Sequence, residues 1–349
     1  MRRLKTLGPF AADPSFQKQW SDAKLANKKR LAGWIAKHLN IDVMTDAIFD
    51  MQVKRIHEYK RQLMNVLSIV HRYAVIASSS ALDRARITPR VCVLAGKAAP
   101  GYDVAKKIIQ LACGVAKVVN NDVRCAGRLQ VVFIPNFNVS LAELIIPASD
   151  VSQHVSTAGM EASGTGNMKF VMNGGLIVGT RDGANIEIAR EVGEENVFSF
   201  GATANEVAAL RASMRARAPS TDERLARVIR MIRSGVFGDP EDSAALMDQL
   251  DPRRDYYLIG HDFPSYLEAL DRADLAYANA RGWAAKTIRA AANMWAFSSD
   301  RTIKEYAEKV WGVEPSPFKP PHHAQPPAPA ASARARNAAR AGGKRNDNE

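Results

Sequence analysis

Cysteine is scarce in this sequence: Cys92, Cys113 and Cys125 are the only three in 349 residues. An odd number cannot close into a full disulfide framework. The spacings fit neither a zinc site nor a redox pair, so the cytoplasm is the expected compartment. Long apolar runs are lacking too, and none approaches the ~20 residues that span a bilayer, so no membrane partner is expected. The opening MRRLKTLGPF is basic without an apolar core, which argues against a secretory signal. The turn at Gly96-Lys97 lacks the G-K-[ST] ending of a P-loop. His38, His71, His154, His261, His322 and His323 stand at no metal-binding spacing with acids or cysteines, and no metal is expected.

What is present is ordinary globular material, 46% hydrophobic and 24% charged, enough for one large or two modest domains. The net charge of +12 raises nucleic acid as a partner. However, the stretch from Lys319 onward carries six Lys/Arg against two Asp/Glu and supplies +4 of it. The moderate remainder suits a protein that handles phosphates, and nucleic acid is not expected.

Strand and helix patterns alternate through the first 200 residues. Residues 17–39 read as a helix with Trp20, Leu25, Leu31, Trp34, Ile35 and Leu39 as apolar anchors. Residues 48–53 alternate as a short strand. From Ile56, residues Tyr59, Leu63, Val66, Leu67 and Val70 keep helical spacing, so 54–73 is predicted helical, with Lys54, Arg55, Lys60 and Arg61 at its start. Cations there oppose the helix dipole unless an anion is bound. A polar connection (77–87) leads to a buried-type strand (90–95), a Gly/Pro turn and a helix (104–119). Further strands are expected at 129–134, 176–180 and 196–200, with a short helix at 140–146 stopped by Pro147. This repetition predicts an α/β fold built on a doubly wound parallel sheet. From Gly201 to about residue 314 helices dominate: 205–218, 222–235, 240–249, 265–280 and 283–294. Seven of the seventeen prolines lie between Pro315 and Pro329, so 315–349 is expected to be a disordered tail, dispensable for folding.

The chemistry concentrates in EASGTGNMKF, Glu161 to Phe170. Ser163-Gly164-Thr165-Gly166 forms a small-residue turn before a helix start, with Asn167 as a candidate cap. Glycines admit close backbone approach, and free N–H groups at a helix start favour an anion, so the turn reads as a phosphate cradle. Lys169 follows at a reach suited to a ligand carrying both a phosphate and an aldehyde. A partly desolvated lysine there has a depressed pKa and can condense with the aldehyde. A lone G-x-G turn is more often plain punctuation; it is the surrounding motifs that give it meaning.

Those motifs are VKRIHEYKRQL (53–63), GKAAPGY (96–102), STAG (156–159), DGANIEI (182–188), GEEN (193–196) and FSSDRTI (297–303). Together with EASGTGNMKF they resemble the α-glucan phosphorylases, the family of glycogen, starch and maltodextrin phosphorylase. The resemblance runs from near Met1 to Pro315. It implies a Rossmann-like domain, the C-terminal half of a glycosyltransferase-B type fold, carrying pyridoxal 5'-phosphate on Lys169. It further implies that Lys54 and the turn Gly164-Thr165-Gly166 hold the cofactor phosphate and that Arg55 and Lys60 hold the substrate phosphate. Tyr59, Glu161 and Ser163 would touch the glucosyl unit. The implied reaction is phosphorolysis of α-1,4-glucan to α-glucose 1-phosphate, with the cofactor phosphate sharing a proton with inorganic phosphate. In that family an N-terminal domain closes the cleft, so this chain would work with a missing N-terminal half or as a homodimer. Alternatively it is an inactive cofactor-binding fragment. Phe137-Asn138, Leu144 and Gln153-His154 depart from the family pattern. His57 and Glu58 read as structural.

Overall fold

The computed structural model describes residues 2–314 and 316; the tail expected at 315–349 lies outside them but for residue 316. Six strands, β1 (Ile48–Val53), β2 (Arg90–Gly96), β3 (Leu129–Pro135), β4 (Val151–His154), β5 (Leu176–Thr180) and β6 (Val197–Phe200), form one sheet in the order β3-β2-β1-β4-β5-β6. Every pairing is parallel. Helix α1 (Pro14–Leu39) precedes β1; the crossovers that parallel neighbours need are supplied by α2 (Gln62–Ser78), α3 (Ala81–Arg86), α4 (Asp103–Asn121), α5 (Val139–Ala148), α6 (Gly166–Met172) and α7 (Ala184–Val192). Then follow α8 (Ala204–Ala216), α9 (Glu223–Arg233), α10 (Pro240–Asp248), α11 (Ile259–Ala278) and α12 (Ala280–Asn293). A compact unit extends through Ser298; a second begins at Ser299 with α13 (Ser299–Tyr306), which continues into a π turn over Ala307–Trp311.

Alternation along β2 explains why the sheet is covered on both faces. Cys92 and Leu94 enter a core shared with α2, α4, α9 and α11, while Val91, Val93 and Ala95 enter another with Leu31 and Ile35 of α1 and Leu141 and Ile145 of α5. All seven β2 residues are therefore buried, as expected for a central parallel strand.

Several elements depart from the sequence expectation. The predicted helix 54–73 begins only at Gln62. Lys54 to His57 run irregularly, Glu58–Lys60 form a 3-10 turn, and Arg61 is left-handed with φ 52°. Two ladder-like bonds hold the extended stretch, Lys54 N–H to Ala95 O at 3.0 Å and Ile56 N–H to Lys97 O at 3.1 Å. Lys54, Arg55 and Lys60 therefore lie upstream of the helix; only Arg61, the N-cap of α2, sits at its start, and Asp262 already pairs with it, so the dipole argument for a bound anion there is overturned. Strand β4 was not anticipated. Pro147 lies inside the last turn of α5, which ends one residue later, and α3 interrupts the supposed polar connection. Leu25 is exposed, not an anchor, whereas Lys28 of the same helix is buried against Asp150 at 2.5 Å. Helix α11 starts at Ile259, upstream of the predicted 265, because the Asp255 carboxylate accepts the N–H groups of Ile259 and Gly260 at its start.

Candidate functional site

The strand order reverses between β1 and β4, and in open α/β sheets ligands bind outside the carboxyl ends of strands at such a point. Lys54 directly follows β1, and His154 ends β4. Between them opens a cavity of about 180 Å³. It brings together Lys54, Lys60, Glu161, Ser163 and the run Gly164-Thr165-Gly166, over a floor of His154, Asp182 and Asn185.

Local chemistry shapes the cradle. Gly164 has φ +80°, a conformation that needs no Cβ. The N–H groups of Gly164, Thr165 and Gly166 donate to no other described residue. Helix α6, at seven residues, is too short for a strong dipole, so the positive field comes from side chains. Lys54 is the desolvated one: burial, then the neighbouring Lys60, pull its ammonium down to about 8 against the pull of Glu161 and Asp182. Lys60 pairs with Glu161 and lies over the Tyr59 ring at 4.6 Å.

Residues that the sequence reading gave no role hold the cradle in shape. Asp182 Oδ1 accepts Gly159 N–H at 2.8 Å, and its Oδ2 accepts Glu161 N–H at 2.9 Å and the Ser156 hydroxyl at 3.0 Å. Asn185 Nδ2 donates to His154 O and Thr180 O, while its Oδ1 accepts from Asn167 Nδ2 at 3.0 Å. The DGAN segment thus clamps both ends of the loop from Ser156 to Asn167. A Cβ on Gly183 would meet Glu161 O at 2.1 Å, so only glycine lets the two turns touch. The signal available in the sequence was the DGANIEI motif itself, whose polar side chains follow a strand end and face the turn. Arg61 is fully buried, not an anion ligand: it pairs with Asp262 at 2.7 Å and donates to the carbonyls of Val155 and Ser156.

Asn167 does not cap α6 from outside; it lies in the first turn with its side chain on Met168 N–H and Asn185. Lys169 is exposed on α6 and is not among the cavity-lining residues, so the expected partial desolvation falls on Lys54 instead. Arg55 is exposed, and Tyr59 is half-buried with its carbonyl accepting Thr157 N–H at 2.9 Å. Glu58 accepts from the Tyr102 hydroxyl at 2.6 Å and His57 packs on the Tyr59 and Tyr102 rings, a structural use for both. Of the departures noted above, Phe137 and Leu144 pack against the core and Asn138 caps α5. His154 alone enters the cavity. It is pushed well below its usual pKa by burial and by Lys54 and Lys60, with Nδ1 3.4 Å from Lys54 Nζ and Nε2 2.6 Å from the Ser152 hydroxyl.

A doubly wound parallel sheet with a cavity lined by Lys54, Lys60 and a glycine turn at its switch point defines an α/β protein of the Rossmann-like class. A family model described as Carbohydrate phosphorylase matches residues 1–313, and the chain belongs to that family. Over 319 residues it is 48% identical to the Alpha-glucan phosphorylase, H isozyme, of Triticum aestivum, covering 90% of this chain and 38% of that protein. It is 49% identical to Glycogen phosphorylase 2 of Dictyostelium discoideum, covering 89% of this chain and 31% of that protein. It is 47% identical to Alpha-glucan phosphorylase 2, cytosolic, of Arabidopsis thaliana, with 90% and 38% covered. The chain thus spans 31–38% of the length of these relatives.

Proposed function

We propose that this chain is the cofactor-binding portion of an α-glucan phosphorylase, a hexosyltransferase that cleaves α-1,4-glucan with inorganic phosphate to give α-glucose 1-phosphate. The observation that carries this reading is the convergence of Lys54, Lys60, Glu161 and the unengaged N–H groups of Gly164, Thr165 and Gly166 on one cavity.

Pyridoxal 5'-phosphate suits these residues. Its phosphate matches three free backbone donors beside an ammonium, and charge-assisted contacts of this kind are worth roughly 1.5–3 kcal/mol each. Lys54 and the turn Gly164-Thr165-Gly166 would hold that phosphate. Lys169, on the helix that the turn opens, would be the covalent anchor. When bound, the cofactor supplies a second phosphate as proton partner for the substrate phosphate. Arg55 and Lys60 would neutralise the substrate phosphate, and Glu161, Ser163 and Tyr59 would orient the glucosyl unit. Glu161 in turn holds Lys60 until an anion competes for it.

The cytoplasm is the compartment we favour. Cys92, Cys113 and Cys125 are all free, and no helix among the described residues is long and apolar enough to cross a membrane. A second reading is that the chain is one subunit of a split enzyme or an inactive cofactor-binding fragment.

The test is capture of the cofactor. Chain incubated with pyridoxal 5'-phosphate and reduced with borohydride is expected to yield one modified peptide containing Lys169, and Lys169→Ala to yield none. Modification confined to other lysines would overturn the assignment.

A further inference from the structure

A second cavity, of about 480 Å³, opens between α2 and α11 below the amino ends of β1 and β2 and shares no residue with the cradle. Its aliphatic part is Ile69 on one side and Leu267, Leu270 and Leu275 on the other. That volume falls within the range of small-molecule sites, roughly 300–1,000 Å³.

Charged side chains crowd one side of this cavity. Four guanidiniums, Arg72, Arg86, Arg90 and Arg224, line it against three carboxylates, Asp50, Asp271 and Asp274. Two of the carboxylates are already committed. Asp274 bridges Arg72 and Arg90, and Asp50 is held by Arg90 and by Gln153 Nε2 at 2.8 Å. Arg86 makes no hydrogen bond or ion pair with any described residue, and the partner of Arg224 is Asp222, which lies outside the cavity. Among the lining residues Asp271 is the one carboxylate and Arg86 the one guanidinium left without an ion-pair partner.

Donors also outnumber acceptors. The buried nitrogens His71 Nδ1, Arg72 Nε and Arg90 Nε have no hydrogen-bond partner, and all three residues line this cavity. Unpaired buried polar groups are rare in native proteins. Burial first, then Arg224, Arg227 and Arg72 against the pull of Asp222, lowers the His71 imidazole to about 4.

We propose that this cavity is a second ligand site, taking a small apolar anion of the aryl or alkyl carboxylate class, its hydrocarbon against Leu267, Leu270 and Leu275 and its carboxylate at Arg86 and Arg224. The site is separate from the cradle and requires neither the cofactor nor the glucan reaction.

Three matched probes test it on the full chain without cofactor: 2-naphthoate, neutral 2-naphthylmethanol and cationic 2-naphthylmethylammonium, titrated by fluorescence at constant ionic strength. The naphthoate is expected to bind at least about tenfold more tightly than either congener. It is also expected to move the His71 ring resonances and raise the His71 pKa, since a bound anion favours the imidazolium. Arg86→Glu, on the exposed face of α3, is expected to weaken naphthoate about tenfold or more, with Arg86→Gln intermediate and both variants melting like the parent. No naphthoate binding up to ~10 mM, equal or tighter binding of the cation or alcohol, or binding that leaves His71 and the Arg86 variants unaffected overturns the proposal.

Discussion

Burial brings the Lys54 ammonium from 10.5 down to about 8, and this single residue sets stability and binding against each other. Below about pH 8 it is protonated in both the folded and the unfolded chain, so the fold bears the full cost of burying the charge. Between about 8 and 10.5 the unfolded chain holds the additional proton, and stability rises with pH. Lys54→Met is therefore expected to raise stability at pH 7 by on the order of 1 kcal/mol, after allowing for partial solvent screening. It should also flatten the rise above pH 8 and weaken pyridoxal 5'-phosphate by roughly 10–100-fold. Urea midpoints at pH 7 and 9.5, with a cofactor titration, check all three; a variant less stable at pH 7 contradicts the account. The phosphate-binding role proposed for Lys54 comes from its motif, whereas its desolvation could not be read there. That depends on Lys60, His154 and Asp182 closing in from separate stretches of chain. The same reasoning explains why Lys169, next to the glycine turn in sequence, can stand exposed, and why Asp182, distant in sequence, anchors the loop.

At the scale of elements, patterning served wherever side chains were recruited for their hydrophobicity. The strands β1, β2, β3, β5 and β6 and the helices that cover them follow the periods seen in the sequence. Strand β4 broke the rule because three of its four residues, Ser152, Gln153 and His154, are polar yet buried. They are used as hydrogen-bonding groups, with Gln153 on Asp50 and Ser152 on His154, so no apolar alternation betrays the strand. The misread start of α2 has the opposite cause. Helical spacing of Ile56, Tyr59 and Leu63 continues upstream of Gln62, but Lys54 and Ile56 are bonded to the chain leaving β2, and that pairing prevails. Gly96 makes the pairing possible, since a Cβ there would stand 2.3 Å from Lys54 O. Gly96→Ala must push the β1 and β2 exits apart. We expect a loss of about 2–3 kcal/mol and a weaker cradle. Gly101→Ala, in the same turn with nothing within 4 Å of its Cβ, should change little. Equal melting temperatures for the two variants would remove the steric argument.

For the molecule as a whole, the parallel sheet was readable from alternating strand and helix, whereas the switch point was not, because it lies beside the polar strand β4, and enclosure was not, because it depends on what faces the cradle. The cradle cavity holds about 180 Å³, below the roughly 300–1,000 Å³ of ordinary small-molecule sites. It can seat one phosphate-bearing ring, not a cofactor, inorganic phosphate and a glucosyl unit together. Phosphorolysis needs those groups aligned near contact with water excluded, and alignment can lower a barrier by roughly 7–11 kcal/mol. Arg55 and Ser163, the groups proposed for phosphate and sugar, are exposed and lack the rigid surroundings that alignment requires. The 349-residue chain assayed by itself is therefore expected to bind pyridoxal 5'-phosphate but to release glucose 1-phosphate from maltodextrin at less than ~1% of the rate of a full-length relative, a barrier difference of at least about 3 kcal/mol. Adding the N-terminal portion of a relative as a separate chain is expected to raise the rate if the two assemble around the cradle. Turnover by the purified chain at a relative's full rate would show that the cleft is completed some other way, and sedimentation of the active species would then identify a self-assembled dimer as the source of the second wall.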